Sequence, residues 1–268
     1  MEPQTKRYSS DLTDEEWAVL EPLVPRAKSN KKIGGRPEEY PKREIVNGIL
    51  YLKTAGCQWA NLPKDLPPTN ITFHYFNVWS KSGIWEIMNA RLRERVRTKK
   101  HKKKKEPTVG IIDSQSVKNT HIPCESGYDA GKKINGIKRH LLTDTLGLLL
   151  TVVVHPANIQ DRDGAKLVLK KAKKLFSKIK KIFSDQGYAG ELVDWVKQKI
   201  GWALEVVKRE GKGFVILPKR WIVERTNSWV CKARRLDRNY EQLSRNGEAM
   251  VYITMIHMMA KQLARGGY

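Results

Sequence analysis

KKIFSDQGYAG, residues 180–190, decides how the second half of the chain is read. Two lysines lead into the apolar pair Ile182 and Phe183, then Ser184, Asp185 and a glycine-containing turn. A short apolar run bounded by turn residues reads as a buried strand. This one ends on a carboxylate. A buried carboxylate is costly unless it is paired, hydrogen-bonded or bound to a metal. One aspartate does not decide among the three, so its partners must be sought elsewhere in the chain.

VGIID, residues 109–113, is a second apolar run ending on an aspartate, Asp113. Ends of adjacent strands gather side chains from distant parts of a chain. Two such carboxylates meeting without a cation would repel, and one would have to be protonated. A divalent metal removes that conflict, and ligation by oxygen alone selects magnesium or manganese over zinc. A third acid is available on WIVERTNSWVCKARRL, residues 221–236. There Ile222, Thr226, Trp229, Ala233 and Leu236 form a buried stripe at helical spacing. Glu224 lies about 200° around from Ile222, off the core face with Arg220 and Asn227. Each acid taken singly also fits a turn former or a solvated helix face.

Further elements follow the same periodicities. HLLTD (140–144) and LLLTVVVH (148–155) read as a hairpin across TLG. Residues 161–176 read as a helix with Asp161 or Asp163 available as its cap, 191–200 as a helix stopped by Gly201, and ALEVV (203–207) as a strand. A helix over about 221–236 and a Met-rich one over about 248–263 complete the chain, the last packed on the sheet. Strands first, then alternating helix and strand, predict an α/β fold: a mixed sheet flanked by helices, spanning 109–268.

Residues 1–95 read as all-α. Thr13 and Glu16 fit a capping box before Trp17 and Leu20. Pro41 can start a helix carrying Ile45, Ile49 and Leu52, which Gly56 ends. A third helix carries Phe73, Phe76 and Trp79, and Gly83 separates it from a fourth with Ile84, Met88 and Leu92. Short helices with tight connectors suit a helix-turn-helix-like module whose third helix offers Asn70, Thr72, His74 and Asn77 to a groove. Residues 96–108 read as a basic linker.

The formal net charge is +23. It is concentrated in three segments: +9 over 91–105, +8 over 166–181 and +7 over 208–238. Localised positive charge of this size favours a polyanion, most simply nucleic acid. No stretch is apolar enough to span a bilayer, and MEPQTKRYSS lacks a signal-peptide core. Cys57, Cys124 and Cys231 are too widely spaced for a disulfide framework or a zinc site. These features imply a reducing, cytoplasmic setting without a membrane partner.

Ordered blocks along nearly the whole chain resemble the DDE transposases of bacterial insertion sequences, in the large group containing insertion sequence five. The blocks are LTDEEWAVLEPLVP, GRP, QWANLPKDLPPTNITFHYFNVWSKSGIWE, IIDSQSVK, GIKRHLLTDTLGLLL, HPANIQDRDGA, FSDQGYAG and LPKRWIVERTNSWVCKARRLDRNYE. The resemblance implies a ribonuclease-H-like catalytic core. Asp113 then resembles the first catalytic and metal-binding aspartate, Asp185 the second, and Glu224 the terminal glutamate. It also implies two magnesium ions, replaceable by manganese, and cleavage and strand transfer at terminal inverted repeats of double-stranded DNA and in target DNA. A homodimer on synapsed DNA ends and a nucleoid-associated location follow from it as well. Arg220 and Glu224 keep the family's spacing, whereas Leu217 stands at its Tyr position and Cys231 at its Lys position, with Lys232 next. Lys138, Arg139, Lys219, Arg220, Lys232 and Arg235 join Asn70 and Thr72 as candidate DNA contacts. A stand-alone metal-dependent nuclease and a DNA-binding regulator or inactivated relic fit the same residues.

Overall fold

The computed structural model describes residues 7–25, 39–207 and 220–265. Its centre is a mixed six-stranded sheet. The strands are β1 (Val109–Lys118), β2 (Gly127–Asp129), β3 (Ile134–Thr143), β4 (Leu149–Pro156), β5 (Lys181–Ser184) and β6 (Ala203–Val206). β3 lies between β1 and β4, antiparallel to both, and its first residues also pair with β2. β5 is parallel to β1, and β6 is parallel to β5. Parallel neighbours need crossovers, and helices supply them. α5 (Asp161–Leu175) runs between β4 and β5; α6 (Glu191–Trp195), continued as a π-helical turn to Ile200, runs between β5 and β6.

Both faces of the sheet are covered. Ile112, Leu142, Leu150 and Ile182 on one face pack with Ala165, Val168, Leu169 and Ala172 of α5 and with Leu192 and Val196. The opposite face takes α7 (Arg220–Cys231) and α8 (Ser244–Ala264). α8 is apolar nearly all round, as a fully enclosed helix must be. The sheet covers one side of it. The other side receives the amino-terminal helices α1 (Asp14–Leu20), α2 (Lys42–Ala55), α3 (Thr69–Lys81) and α4 (Ile84–Arg95). Ile45, Ile49, Phe76, Trp79 and Met88 therefore share one core with Val152, Met250, Ile253 and Met259.

Local chemistry sets the helix ends. Thr13 and Glu16 cap α1 reciprocally: Oγ1 of Thr13 accepts the Glu16 N–H, and the Glu16 carboxylate accepts the Thr13 N–H. Gly56 and Gly83 take φ of 71° and 70° at the end of α2 and the start of α4, a conformation that glycine adopts without strain. The first part of the expected linker instead prolongs α4 as a π-helical turn, Val96–Lys100, with Val96 and Arg97 buried. The helix expected over 221–236 stops at Cys231. Its continuation breaks into an extended Ala233 and a 3-10 turn at Arg234–Leu236, because Arg235 is pinned by Glu241 and the Cys57 carbonyl. The cap of α5 is the backbone of Gln160, not Asp161 or Asp163, which instead pair with Lys138 and Lys166.

Candidate active site

Side chains alternate along β1. Ile111 packs with Phe183, Ile222 and Val223 on the α7 side, and Ile112 faces α5. Asp113 and Gln115 therefore share the α7 side. The hydrogen bonds agree. Nδ2 of Asn227 donates to Oδ2 of Asp113 at 2.7 Å, and Nε2 of Gln115 meets Sγ of Cys231 at 2.9 Å. Asn227 and Cys231 are four residues apart, and Glu224 precedes Asn227 by three. Spacing of three and four places all of them along one helical face, the one turned to β1. Glu224 is exposed there.

Asp185 reaches the same face from β5. Ile111 pairs with Phe183 as the last pair of the parallel β1/β5 ladder, and Asp113 and Asp185 each follow two residues further along the chain. Neighbouring strands lie about 4.8 Å apart. Asp185 is one residue beyond β5 but still extended, and its Oδ1 accepts the Gly187 N–H at 2.9 Å, starting the turn Gln186–Tyr188. The aspartate at the end of KKIFSD is thus a turn cap as well as a candidate site carboxylate. Tyr188 is buried. Burial, then the negative charges of Asp113 and Asp161 and, more weakly, of Asp185, push its phenol well above the ordinary value.

Behind this face lies a buried polar layer. Lys138 is 4% exposed, with Nζ 3.2 Å from Asp129, 2.9 Å from Asp161 and donating to the Ile159 carbonyl. Burial would push the Asp161 carboxyl up, but the hydrogen bond from Lys138 and the charges of Lys132 and Lys138 win and hold it below its usual range. His140 and His155 stack, with Nδ1 and Nε2 2.8 Å apart. A Cβ on Gly164 would stand 2.4 Å from both rings, so only glycine lets α5 approach them.

Burial, and the charge of His155, lower the His140 pKa from 6.5 to about 3; burial also lowers His155. The lowered values favour the neutral rings in the fold, so unfolding in mild acid takes up protons. Their contribution is complete above pH ~6.5 and is lost as pH falls below it. For His140 the cost should approach about 1.4 kcal/mol of stability per pH unit below that point, and the lowered His155 adds in the same direction. Denaturant unfolding between pH 7.5 and 5 should show this loss, reduced in His140→Gln.

The expected DNA contacts divide by burial. Asn70 and Lys232 are exposed. Thr72 is fully buried, its hydroxyl bonded to the Pro67 carbonyl and its methyl against Gly48, so it holds α3 to α2 and does not meet a groove. Lys138 is locked by its two aspartates. Arg139 is 1% exposed and donates to the carbonyls of Leu236 and Arg238. Arg235 is buried on Glu241. These four are structural ties, and the charges of Lys138, Arg139 and Arg235 do not reach the surface as expected from the sequence. Lys219 and the side chain of Arg220 lie outside the described residues. Cys231, at the family's Lys position, faces Gln115, and Lys232 points into a separate cavity between α2 and α8.

Asp113 and Asp185 offer oxygen donors only, and the buried Oδ1 of Asn227 beside them has no hydrogen-bond partner. This donor set suits a hard divalent cation. Among the described residues no three His, Cys, Asp or Glu side chains stand together as a group that could hold a metal ion.

Antiparallel β1, β3 and β4 followed by parallel β5 and β6, with helices on both faces, define the class: a ribonuclease-H-like fold, here with one aspartate midway along β1 and another directly after β5. The chain belongs to the transposase DDE domain family, whose model matches residues 104–259. Residues 12–89 match a second family, described as "Putative transposase of IS4/5 family". An 88-residue stretch is 25% identical to the "Insertion element IS402 uncharacterized 16.2 kDa protein" of Burkholderia cepacia, covering 32% of this chain. The match spans 60% of that relative's length. A solved structure of the Mos1 transposase paired-end complex with left transposon end aligns over 66% of this chain and 61% of that one, at 12% identity and a TM-score of 0.24.

Proposed function

We propose that this protein is a DNA transposase that binds the terminal inverted repeats of its own insertion sequence, cuts there, and joins the cut end to target DNA. The observation that carries this reading is the placement of Asp113 and Asp185 two residues past the last pair of the parallel β1/β5 ladder, with Asp113 bonded to Asn227 of α7, inside the matched transposase domain. Asp113 and Asp185 would hold divalent cations, magnesium or manganese, with Glu224 as the third carboxylate. When bound, such ions activate an attacking oxygen and stabilise a leaving one.

The chain's own residues supply the rest. Asn227 fixes the rotation of the Asp113 carboxylate, and the Gly187 N–H fixes that of Asp185. Water attacks the phosphodiester at the element's end, the P–O3′ bond breaks, and a 3′-hydroxyl is released. That hydroxyl attacks a target phosphodiester, forming one P–O bond as another breaks. No ATP or covalent enzyme intermediate is needed.

Residues 1–95 would recognise the end through the exposed face of α3, with Asn70 and His74. The basic segments, including exposed Lys102–Lys105, would hold phosphates. Synapsis of two ends would take two copies. No described helix is long and apolar enough to cross a membrane. The test is binding of a duplex carrying the gene's own flanking repeat against a scrambled duplex. The repeat should win, and affinity should fall by about a thousandfold between 50 and 200 mM salt if six or more phosphates are neutralised. Equal binding of both duplexes would contradict end recognition, and binding indifferent to salt would contradict the phosphate contacts.

A further inference from the structure

Lys53 is a buried cation that nothing in the proposed chemistry uses. It lies near the end of α2 and is 7% exposed, and its Nζ is 3.1 Å from Nδ1 of His257 on α8. It opens onto a 370 Å³ cavity between α2, the end of α7 and α8. Lys232 and Lys261 line the same cavity, with Trp229 and Thr54. No carboxylate is among its described lining residues. The Thr54 hydroxyl is buried there without a hydrogen-bond partner.

A buried ammonium is stable only if it gives up its proton or gains a counter-charge. Burial and the charge of Lys261 lower Lys53 to about 8, which leaves it mostly protonated at neutral pH. Three lysines around one concave site, with a spare hydroxyl, match the oxygens of a tetrahedral dianion or of a phosphodiester, which accept charge-assisted hydrogen bonds. The apolar side, with Trp229, leaves room for a sugar beside the phosphate.

We infer that the cavity between α2, α7 and α8 is a phosphate-binding site anchored by Lys53, with Lys232 and Lys261 at its rim. An occupant there ties α2, one of the amino-terminal helices, to α7, the helix that carries Glu224 and Asn227. If the phosphate is a DNA phosphodiester, a choice that rests on the proposed function, end binding and the catalytic helix are joined through one contact. A free phosphate would give the same bridge without DNA.

Two arms test this. Inorganic phosphate is titrated at constant ionic strength while thermal unfolding is followed. Wild type should show a saturable rise in Tm that Lys53→Met loses. Lys232→Met, at an exposed position, should weaken it and serves if Lys53→Met does not fold. Next, end duplexes carrying single neutral methylphosphonates are bound to both proteins. One position that weakens wild type about tenfold and leaves Lys53→Met unaffected identifies a DNA phosphodiester. A phosphate response without such a position identifies free phosphate. No saturable response to phosphate and no coupled position would overturn the site and leave Lys53 as an amine bonded to His257. The phosphate arm needs no DNA reaction, so it can succeed where the transposase reading fails.

Discussion

Asp185→Asn is expected to abolish metal-dependent cutting of an end duplex while leaving the protein folded. The substitution is informative because Asp185 does two separable things. Its Oδ1 caps the turn at Gly187, and an asparagine carbonyl can accept the same N–H. Its charge, together with that of Asp113, is what would hold a cation, and asparagine lacks it. Losing a cation that stabilises the transition state by several kcal/mol should lower the rate by at least about a thousandfold. Cutting rates in magnesium and manganese, with circular dichroism of both proteins, check this. Equal cutting by both proteins would remove Asp185 from the site.

The second large effect is on stability. Asp144→Ala is expected to lower Tm by about 6–10 °C. Asp144 is fully buried at the β3–β4 turn. Its Oδ1 accepts the N–H groups of Leu146 at 2.8 Å and Leu148 at 2.9 Å, and its Oδ2 takes the guanidinium of Arg97. Arg97 is itself 5% exposed and donates to the Lys104 carbonyl. Alanine would strand two backbone donors and a buried cation together, and breaking such a pair costs about 3–5 kcal/mol. Asp144→Asn keeps an acceptor for the turn and should fall between the two. Thermal unfolding of the three proteins settles the order. A Tm for Asp144→Ala within a degree of wild type would mean that Arg97 finds another partner.

Arg97 also shows where reading the sequence stops. The end of β5 before Asp185, the hairpin across TLG and the capping box at Thr13 were legible because each rests on neighbours in sequence. The apolar run ending at Asp113, by contrast, is only the first half of β1, which continues to Lys118 because its more polar second half pairs with β3. Burial of charge does not rest on sequence neighbours. Lys138 and Arg139 in GIKRH and Arg235 in the last basic segment read as DNA contacts, yet each is held by groups away from it in the chain: Asp129 and Asp161, two backbone carbonyls, and the carbonyl of Cys57. Thr72 misled for the opposite reason: a small polar residue on a helix also serves as a close-packing one. Asn227 gave only its spacing from Glu224, and Tyr188 only its place in the DQGY turn. Their roles depend on the β1/β5 register, which no local pattern specifies. Likewise, 221–236 holds no glycine or proline, so helical periodicity ran on past Cys231, where tertiary contacts break it.

The central claim is that one site both cuts and joins. It is tested most directly by a precut, labelled end with a free 3′-hydroxyl, incubated with wild-type protein, a supercoiled plasmid and magnesium or manganese. The account predicts covalent transfer of the label into the plasmid, dependent on the metal and on the end sequence, and absent in Asp185→Asn. Cutting of the intact end with no transfer of the precut one would contradict it and leave a nuclease on this fold. Binding with neither reaction would leave a DNA-binding protein that has lost its chemistry.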